Sequence, residues 1–307
     1  MAPMSNSAIH AVTGAFGYSG RAIAARLLEQ GARVRSLTGH ANRPDPFGGR
    51  VEVAPLPFED PAALRKALDG VEVLYNTYWV RFDHGASTFE RAVAHSRQLF
   101  RAAAEAGVAR VVHVSITNPS EDSPLPYFRG KAQVERSLRD SPLSYAILRP
   151  AVFFGGQDVL LNNIAWLLRR LPLFGMARGG YGLQPIHVDD FARLAVAQGA
   201  SRERLTMDAV GPEAPSFAEL VGWIKAAVGS RSLVATMPWW ALRLASRVFG
   251  LFLGDVPLTR DEIAGLTANL LVSSERPTGL TSLHAWLGEH GRELGRAWAS
   301  ELERHYQ

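Results

Sequence analysis

At 307 residues the chain is long enough for one α/β domain with a smaller appendage. Its 47% hydrophobic content suits a protein with a large core, and the absence of cysteine excludes disulfides, thiolate nucleophiles and cysteine-based zinc sites. The net charge of +4 comes from arginines scattered among acidic residues, the pattern of a solvated surface rather than of a nucleic-acid patch.

Residues 1–7 lack the basic start and apolar core of a signal peptide. No apolar run approaches the roughly 18 residues of a membrane span, so a cytoplasmic protein with no transmembrane segment is expected.

The chain opens on a short apolar run, 8–12, that reads as a buried first strand. The turn Gly14-Ala15-Phe16-Gly17-Tyr18-Ser19-Gly20 follows, and then a helical stretch from Arg21 to Leu28. Each glycine of this turn has a reason. Gly14 lets the chain leave the strand sharply, Gly17 lets a diphosphate approach the backbone, and Gly20 lets the helix pack closely on the sheet. The helix N-terminus then offers N–H groups and a positive dipole end to phosphates. With Phe16 and Tyr18 between the glycines, this turn is the expected dinucleotide-binding loop.

Further strands are expected at 34–38, 51–54, 71–76, 111–115 and 145–148. Most read as continuous apolar runs, as strands buried on both faces of a parallel sheet do. Helices are expected at 61–68, 88–106 and 131–138, with Asp60-Pro61 as an entry and Gly107 as a stop. The alternation gives a Rossmann-type doubly wound parallel sheet over 1–155.

From 156 to 307 a smaller, mainly helical substrate cap is expected, partly interleaved with the sheet. Its helices are placed at 159–170, 189–197, 216–228, 239–249 and 260–270, with a strand at 204–210 and an amphipathic tail at 287–304. The aromatic stretch 238–253 reads either as a cap helix or dimer contact, or as a peripheral membrane contact. The oligomeric expectation is a monomer or homodimer.

Tyr127 and Lys131 stand at i and i+4, which places both side chains on one helix face. A nearby ammonium favours tyrosinate, so the phenol can exchange a proton near neutral pH. Val114-Ser115-Ile116-Thr117-Asn118 leaves the carboxyl end of the fifth strand, the edge where such sheets bind ligands. Ser115 and Thr117 are the candidate substrate-orienting hydroxyls; capping of the strand end is the alternative for either. His187 has no partner at metal-ligand spacing, and no metal site is expected.

The second strand ends at Leu37-Thr38-Gly39-His40 without the acid that would accept from a ribose 2′-hydroxyl, and Arg35, His40 and Arg43 are close by. Cations attract a 2′-phosphate, so NADPH is expected over NADH, with NAD as the alternative. No acidic residue follows the third strand to meet adenine; Pro57 stands there, which leaves the backbone around Phe58. The fourth strand ends in Asn76-Thr77-Tyr78-Trp79. The backbone at Asn76 and Thr77 is expected to pass the adenine-side ribose, and Tyr78 and Trp79 either wall the pocket or pack in the core.

The G-x-x-G-x-x-G turn and Tyr127-Phe128-Arg129-Gly130-Lys131 together resemble the short-chain dehydrogenase/reductase superfamily in its extended and atypical branches. The segments Leu148-Arg149-Pro150 with Phe154-Gly155, and Pro185-Ile186-His187-Val188-Asp189-Asp190, extend the likeness. It covers roughly 8–198; the remainder more faintly resembles complex I-associated atypical members.

The resemblance implies an oxidoreductase that transfers a hydride between a nicotinamide and a carbonyl or hydroxyl group of a small, apolar or aromatic substrate. Tyr127 would be the acid/base, Lys131 would hold the nicotinamide ribose, and Thr117, or else Ser115, would orient the substrate. Pro150 and Phe153 would line the nicotinamide pocket. The alternatives it carries are a non-catalytic NADPH-binding accessory protein and an epimerase or dehydratase.

Overall fold

A computed structural model describes residues 8–40, 43–83, 85–238 and 260–300. The expected helix at 239–249 lies outside them, as does the stretch 238–253 apart from its first residue.

In chain order the structure begins β1 (Ile9–Thr13), α1 (Tyr18–Glu29), β2 (Arg33–Thr38), β3 (Val51–Pro55), α2 (Pro61–Ala67) and β4 (Val71–Asn76). It continues α3 (Phe89–Glu105), β5 (Arg110–Val114), α4 (Pro126–Arg139) and β6 (Ser144–Pro150). There follow β7 (Val152–Phe154), α5 (Val159–Arg170), β8 (Leu173–Ala177), β9 (Pro185–His187), α6 (Val188–Ala200) and β10 (Leu205–Ala209). The last described elements are α7 (Phe217–Ala227), β11 (Leu233–Met237), α8 (Arg260–Thr267) and α9 (Leu283–His290).

The chain divides into two compact units, Met1–Pro150 with Val188–Ala209, and Ala151–His187 with Val210–Gln307. It leaves the first unit at the end of β6 and returns to it for α6 and β10.

The first unit is a seven-stranded sheet in the order β10-β6-β5-β4-β1-β2-β3, parallel throughout. This is the expected doubly wound Rossmann-type sheet. Strands β1 and β5 are buried at every residue, which is why they are mainly apolar, with His10, Arg110 and His113 buried among the aliphatic residues. Leu64, Leu68, Leu99, Phe100, Val134 and Leu138 from α2, α3 and α4 bury against Ala11, Leu74, Val111 and Ile147 of the sheet. Helices α1 and α6 pack on each other over the opposite face.

Local signals explain several boundaries. Asp60 accepts from the backbone N–H groups of Ala62 and Ala63 and caps α2, whose first residue is Pro61. Gly107, at φ +76°, ends α3 in the left-handed conformation that glycine adopts without penalty. Helix α4 starts at Pro126 rather than at Lys131, because proline's missing N–H costs nothing at a helix start. The pair Asp189 and Asp190 does not cap α6. Both lie in its first turn, where carboxylates meet the positive dipole end, and Asp190 also accepts from Arg193.

Among its described residues the second unit carries short strands besides its helices. Strands β7 and β9 pair, as do β8 and β11, giving two small parallel sheets. These three- to five-residue strands carry no long apolar run, so periodicity does not reveal them. The unit has its own core, with Phe154, Leu161, Ile164, Leu220, Ile224 and Trp286 at its centre. Within the tail expected to be amphipathic, 287–304, helix α9 ends at His290, and residues 301–307 lie outside the described residues.

Candidate functional site

In the sheet order, β1 lies between β2 and β4, so the chain direction across the sheet reverses between β1 and β4. Open α/β sheets place ligands at the carboxyl ends of the strands at that point. Thr13, the last residue of β1, ties the two strands together. Its hydroxyl accepts from the backbone N–H groups of Thr77 (2.7 Å) and Tyr78 (3.0 Å) and donates to the Asn76 carboxamide oxygen (3.2 Å). The Thr77 hydroxyl donates back to the Thr13 carbonyl.

The glycine turn leaves this point. Gly14 adopts φ +67°, and its N–H donates to the Leu37 carbonyl of β2 (2.9 Å). Gly17 donates to the Gly14 carbonyl (2.9 Å) and stands at the N-cap of α1. A Cβ on Gly17 would lie 3.2 Å from the Gly14 oxygen, and one on Gly20 only 2.2 Å from it. The bare backbone of this turn stands at the N-terminus of α1, where a diphosphate could approach it closely. Phe16 packs its ring toward Phe47, and Tyr18 opens the helix.

The cationic candidates divide. His40 and Arg43 lie in the loop at the carboxyl end of β2, where the His40 N–H donates to the Thr38 hydroxyl and the Arg43 N–H to the His40 carbonyl. Arg35 does not join them. Its guanidinium is held by Glu52 (2.9 Å) and by the carbonyls of Ala67 (3.0 Å) and Asp69 (2.9 Å), groups that precede β4 at the amino end of the sheet. An arginine in mid-strand can turn toward either edge, and these acceptors decide which.

Asn76 is fully buried, with its carboxamide taken up by Thr13, Tyr78 and His113, so its side chain braces the strand ends and leaves the backbone to pass a ligand. The expected backbone contact at Phe58 is also revised. Its N–H donates to the Leu56 carbonyl, and what it presents instead is a ring stacked on His95 at 4.1 Å. Tyr78 completes this aromatic group, sharing a 2.8 Å hydrogen bond with His95 Nδ1. Burial pushes the Tyr78 phenol up to about 12, against the opposing charge of Arg91, and burial likewise lowers His95. A cavity of about 240 Å³ opens beside Tyr78, Thr88, Arg91 and His95.

Tyr127 and Lys131 lie one turn apart in the first two turns of α4. Lys131 is buried, and its Nζ donates to the Val114 carbonyl at the carboxyl end of β5 (2.9 Å). Burial lowers its pKa to about 7, with Glu135 one turn further on pulling the other way. Glu135 is itself fully buried and grips Arg149 of β6 with both oxygens (2.8 and 2.6 Å) and Arg139 (3.1 Å). Trp79 lies against the pair: Lys131 Nζ stands 4.6 Å from its ring centroid, and the Tyr127 ring meets it edge-on at 5.9 Å.

The hydroxyl candidates continue β5. The Ser115 N–H donates to the Leu148 carbonyl (2.7 Å) and the Thr117 N–H to that of Pro150 (3.0 Å), so both segments are held against β6. Thr117 is fully buried. Ser115 Oγ is buried with no hydrogen-bond partner among the described residues. Pro150 closes β6 in the first unit, while Phe153 belongs to β7 of the second.

Sequence reasoning set Trp79 as pocket wall or core and missed its contact with the Tyr127–Lys131 pair, and it missed Glu135 altogether. An aromatic residue after a strand and a glutamate four residues before an arginine read equally well as core and as solvated helix face. Among the described residues no cluster of three or more His, Asp or Glu forms a metal site, and no helix is long and apolar enough to cross a membrane.

A doubly wound parallel sheet with a glycine cradle at its switch point defines a dinucleotide-binding protein. Residues 14–160 match the NAD(P)H-binding family. The chain is 32% identical to the (4-alkanoyl-5-oxo-2,5-dihydrofuran-3-yl)methyl phosphate reductase of Streptomyces griseus, over 71% of this chain and 73% of that one. It is 27% identical to the rat mitochondrial NADH dehydrogenase [ubiquinone] 1 alpha subcomplex subunit 9, over 73% of this chain and 60% of that one. An uncharacterised Mycobacterium tuberculosis protein is 30% identical over 61% of this chain, which spans only 19% of that relative's length.

Two solved structures share the fold. They are the triphenylmethane reductase of Citrobacter sp. (TM-score 0.78, 18% identity, 94% of this chain and 100% of that one) and the NADPH-dependent quinone oxidoreductase of Escherichia coli (TM-score 0.73, 21% identity, 91% and 99%). The chain belongs to the NAD(P)H-binding, reductase-like extended and atypical branch of the short-chain dehydrogenase/reductase superfamily.

Proposed function

We propose that this protein is an NADPH-dependent reductase acting on a carbonyl group of a small, apolar or aromatic compound. The observation that carries the reading is the Tyr127–Lys131 pair: two groups one turn apart, with the lysine anchored to the carboxyl end of β5 in the sheet that holds the glycine cradle. The 32% identity to a reductase supports it.

Gly14, Gly17 and Gly20 leave room for the diphosphate, with Phe16 and Tyr18 flanking it. His40 and Arg43 attract the 2′-phosphate that distinguishes NADPH from NADH. The Phe58–Tyr78–His95 group forms an apolar wall on the adenine side, and Thr77 approaches the ribose. When bound, the nicotinamide supplies the hydride.

The chain's own residues manage the proton. Tyr127 donates from its phenol oxygen to the substrate oxygen. Lys131 favours the tyrosinate left behind and holds the nicotinamide ribose. Ser115, whose hydroxyl has no hydrogen-bond partner among the described residues, is a better candidate than Thr117 to orient the substrate oxygen. Pro150, which closes β6, lines the nicotinamide side.

The test has two parts. Calorimetry should give tighter binding of NADPH than of NADH; equal affinities remove the role given to His40 and Arg43. A panel of aldehydes, ketones and quinones should then reveal NADPH oxidation, and Tyr127→Phe should lower turnover by about 10² or more with cofactor affinity nearly unchanged. Turnover that survives Tyr127→Phe shows that the acid is another residue. Tight NADPH binding with no turnover across the panel favours a non-catalytic accessory role, the reading supported by the likeness to the rat complex I subunit.

A further inference from the structure

We propose that Trp79 is the positioning residue of this site: its single indole holds the Lys131 ammonium and the Tyr127 ring, and so fixes the geometry of the pair. This deepens the reading above and rests on it for the pair's role.

Three observations converge. Lys131 Nζ lies over the indole at 4.6 Å while donating to the Val114 carbonyl at 2.9 Å, so the ammonium is held from two sides. Tyr127 meets the same indole edge-on at 5.9 Å and 86°, and Phe89 stacks on it at 6.1 Å. Gly130, between the pair in sequence, makes the approach sterically feasible: a Cβ there would lie 3.0 Å from Trp79 Cη2 and 3.3 Å from Cζ2. The indole Nε1 is buried with no hydrogen-bond partner among the described residues, so ring packing and the cation, not a hydrogen bond, set the orientation of Trp79.

The consequence is chemical as well as steric. A desolvated ammonium on an indole face is stabilised in its charged form. Burial drives Lys131 the other way, toward the neutral amine. The titratable groups facing it are Glu135 and Tyr127 on its own helix and His113 on β5, the last held well below its usual range first by burial and then by the Lys131 charge. Trp79 therefore keeps the amine protonated at a pH where burial alone would discharge it.

The chain contains only three lysines, Lys66, Lys131 and Lys225, so Lys131 can be followed alone. In full-length protein labelled with ¹³C,¹⁵N-lysine, the Cε–Nζ signal of Lys131 is titrated without substrate or cofactor. Trp79→Leu keeps the site apolar but removes the π face, and should lower the Lys131 midpoint by about one pH unit. Trp79→Phe, which keeps an aromatic face, should restore most of that shift. Gly130→Ala, which pushes the indole away, should move the midpoint in the same direction as Trp79→Leu, and it decides the matter if Trp79→Leu does not fold.

A midpoint unmoved or raised in Trp79→Leu overturns the inference, as does an unmoved midpoint in Gly130→Ala. A shifted midpoint together with turnover that survives Tyr127→Phe keeps Trp79 in this role and overturns the proposed acid instead.

Discussion

At the scale of single residues, the site depends on positions where a side chain would strike backbone. Gly20 is the sharpest. A Cβ there meets the Gly14 carbonyl oxygen at 2.2 Å and its carbon at 2.9 Å, and neither can rotate away as a flexible side chain would. Gly20→Ala must push α1 off the turn, which should weaken NADPH binding at least tenfold and cost about 1–3 kcal/mol of stability. Gly39→Ala is the control: nothing lies within 4 Å of its Cβ position, and its effect should stay within about 0.5 kcal/mol. Calorimetry and urea denaturation of both variants check this, and equal behaviour of the two would show that close packing at Gly20 is not what shapes the cradle. Arg35 makes the complementary point. Its charge is real, but three acceptors at the amino end of the sheet fix it there.

At the scale of elements, α4 is the part on which the site turns. Its N-terminal turns present Tyr127 and Lys131, and its middle is locked to β6 by Glu135, which holds Arg149 with both oxygens and also meets Arg139. A buried carboxylate gripped this way fixes the rotation of the helix about its axis, and so the direction in which the pair points. Glu135→Ala leaves Arg149 without that carboxylate. The loss should be about 3–5 kcal/mol, toward the lower end because Arg149 is 26% exposed and water can reach it. Glu135→Gln keeps the shape and should cost less. Denaturant titration measures both, and a loss under about 1 kcal/mol for Glu135→Ala would mean that apolar packing alone holds α4.

At the scale of the whole molecule, one buried amine makes stability depend on pH. Lys131 has a folded pKa near 7 against 10.5 for the free side chain. Between those values the unfolded chain binds the proton that the folded chain does not, so this group makes stability rise with pH from about 7 to about 10.5. Below about 7 both states are protonated, and its contribution is constant and unfavourable. Lys131→Met removes that term. The variant should gain most over the parent at pH 7 and below, and the gap should close as pH approaches 10. Denaturation curves at pH 6, 7, 8 and 9 test this; parallel pH profiles for parent and variant would show that Lys131 does not titrate in this range.

Much of this was legible in the sequence, because the relevant physics is local. A parallel strand buried on both faces is a largely apolar run whatever its neighbours, so central strands such as β1, β4 and β5 stand close to where the pattern puts them. The glycine spacing encodes a backbone path, and Asp60 and Gly107 encode helix ends in their own chemistry. The sequence also placed Tyr127 and Lys131 one turn apart. What it could not fix were choices that depend on residues far along the chain. Tertiary structure alone turned Arg35 toward Ala67 and Asp69, buried the Asn76 carboxamide against His113, and paired Glu135 with Arg149. It alone laid Trp79, about fifty residues upstream, against both members of the pair. It formed the short strands β7, β8, β9 and β11 too, because each is held by a partner distant in sequence rather than by any periodicity of its own.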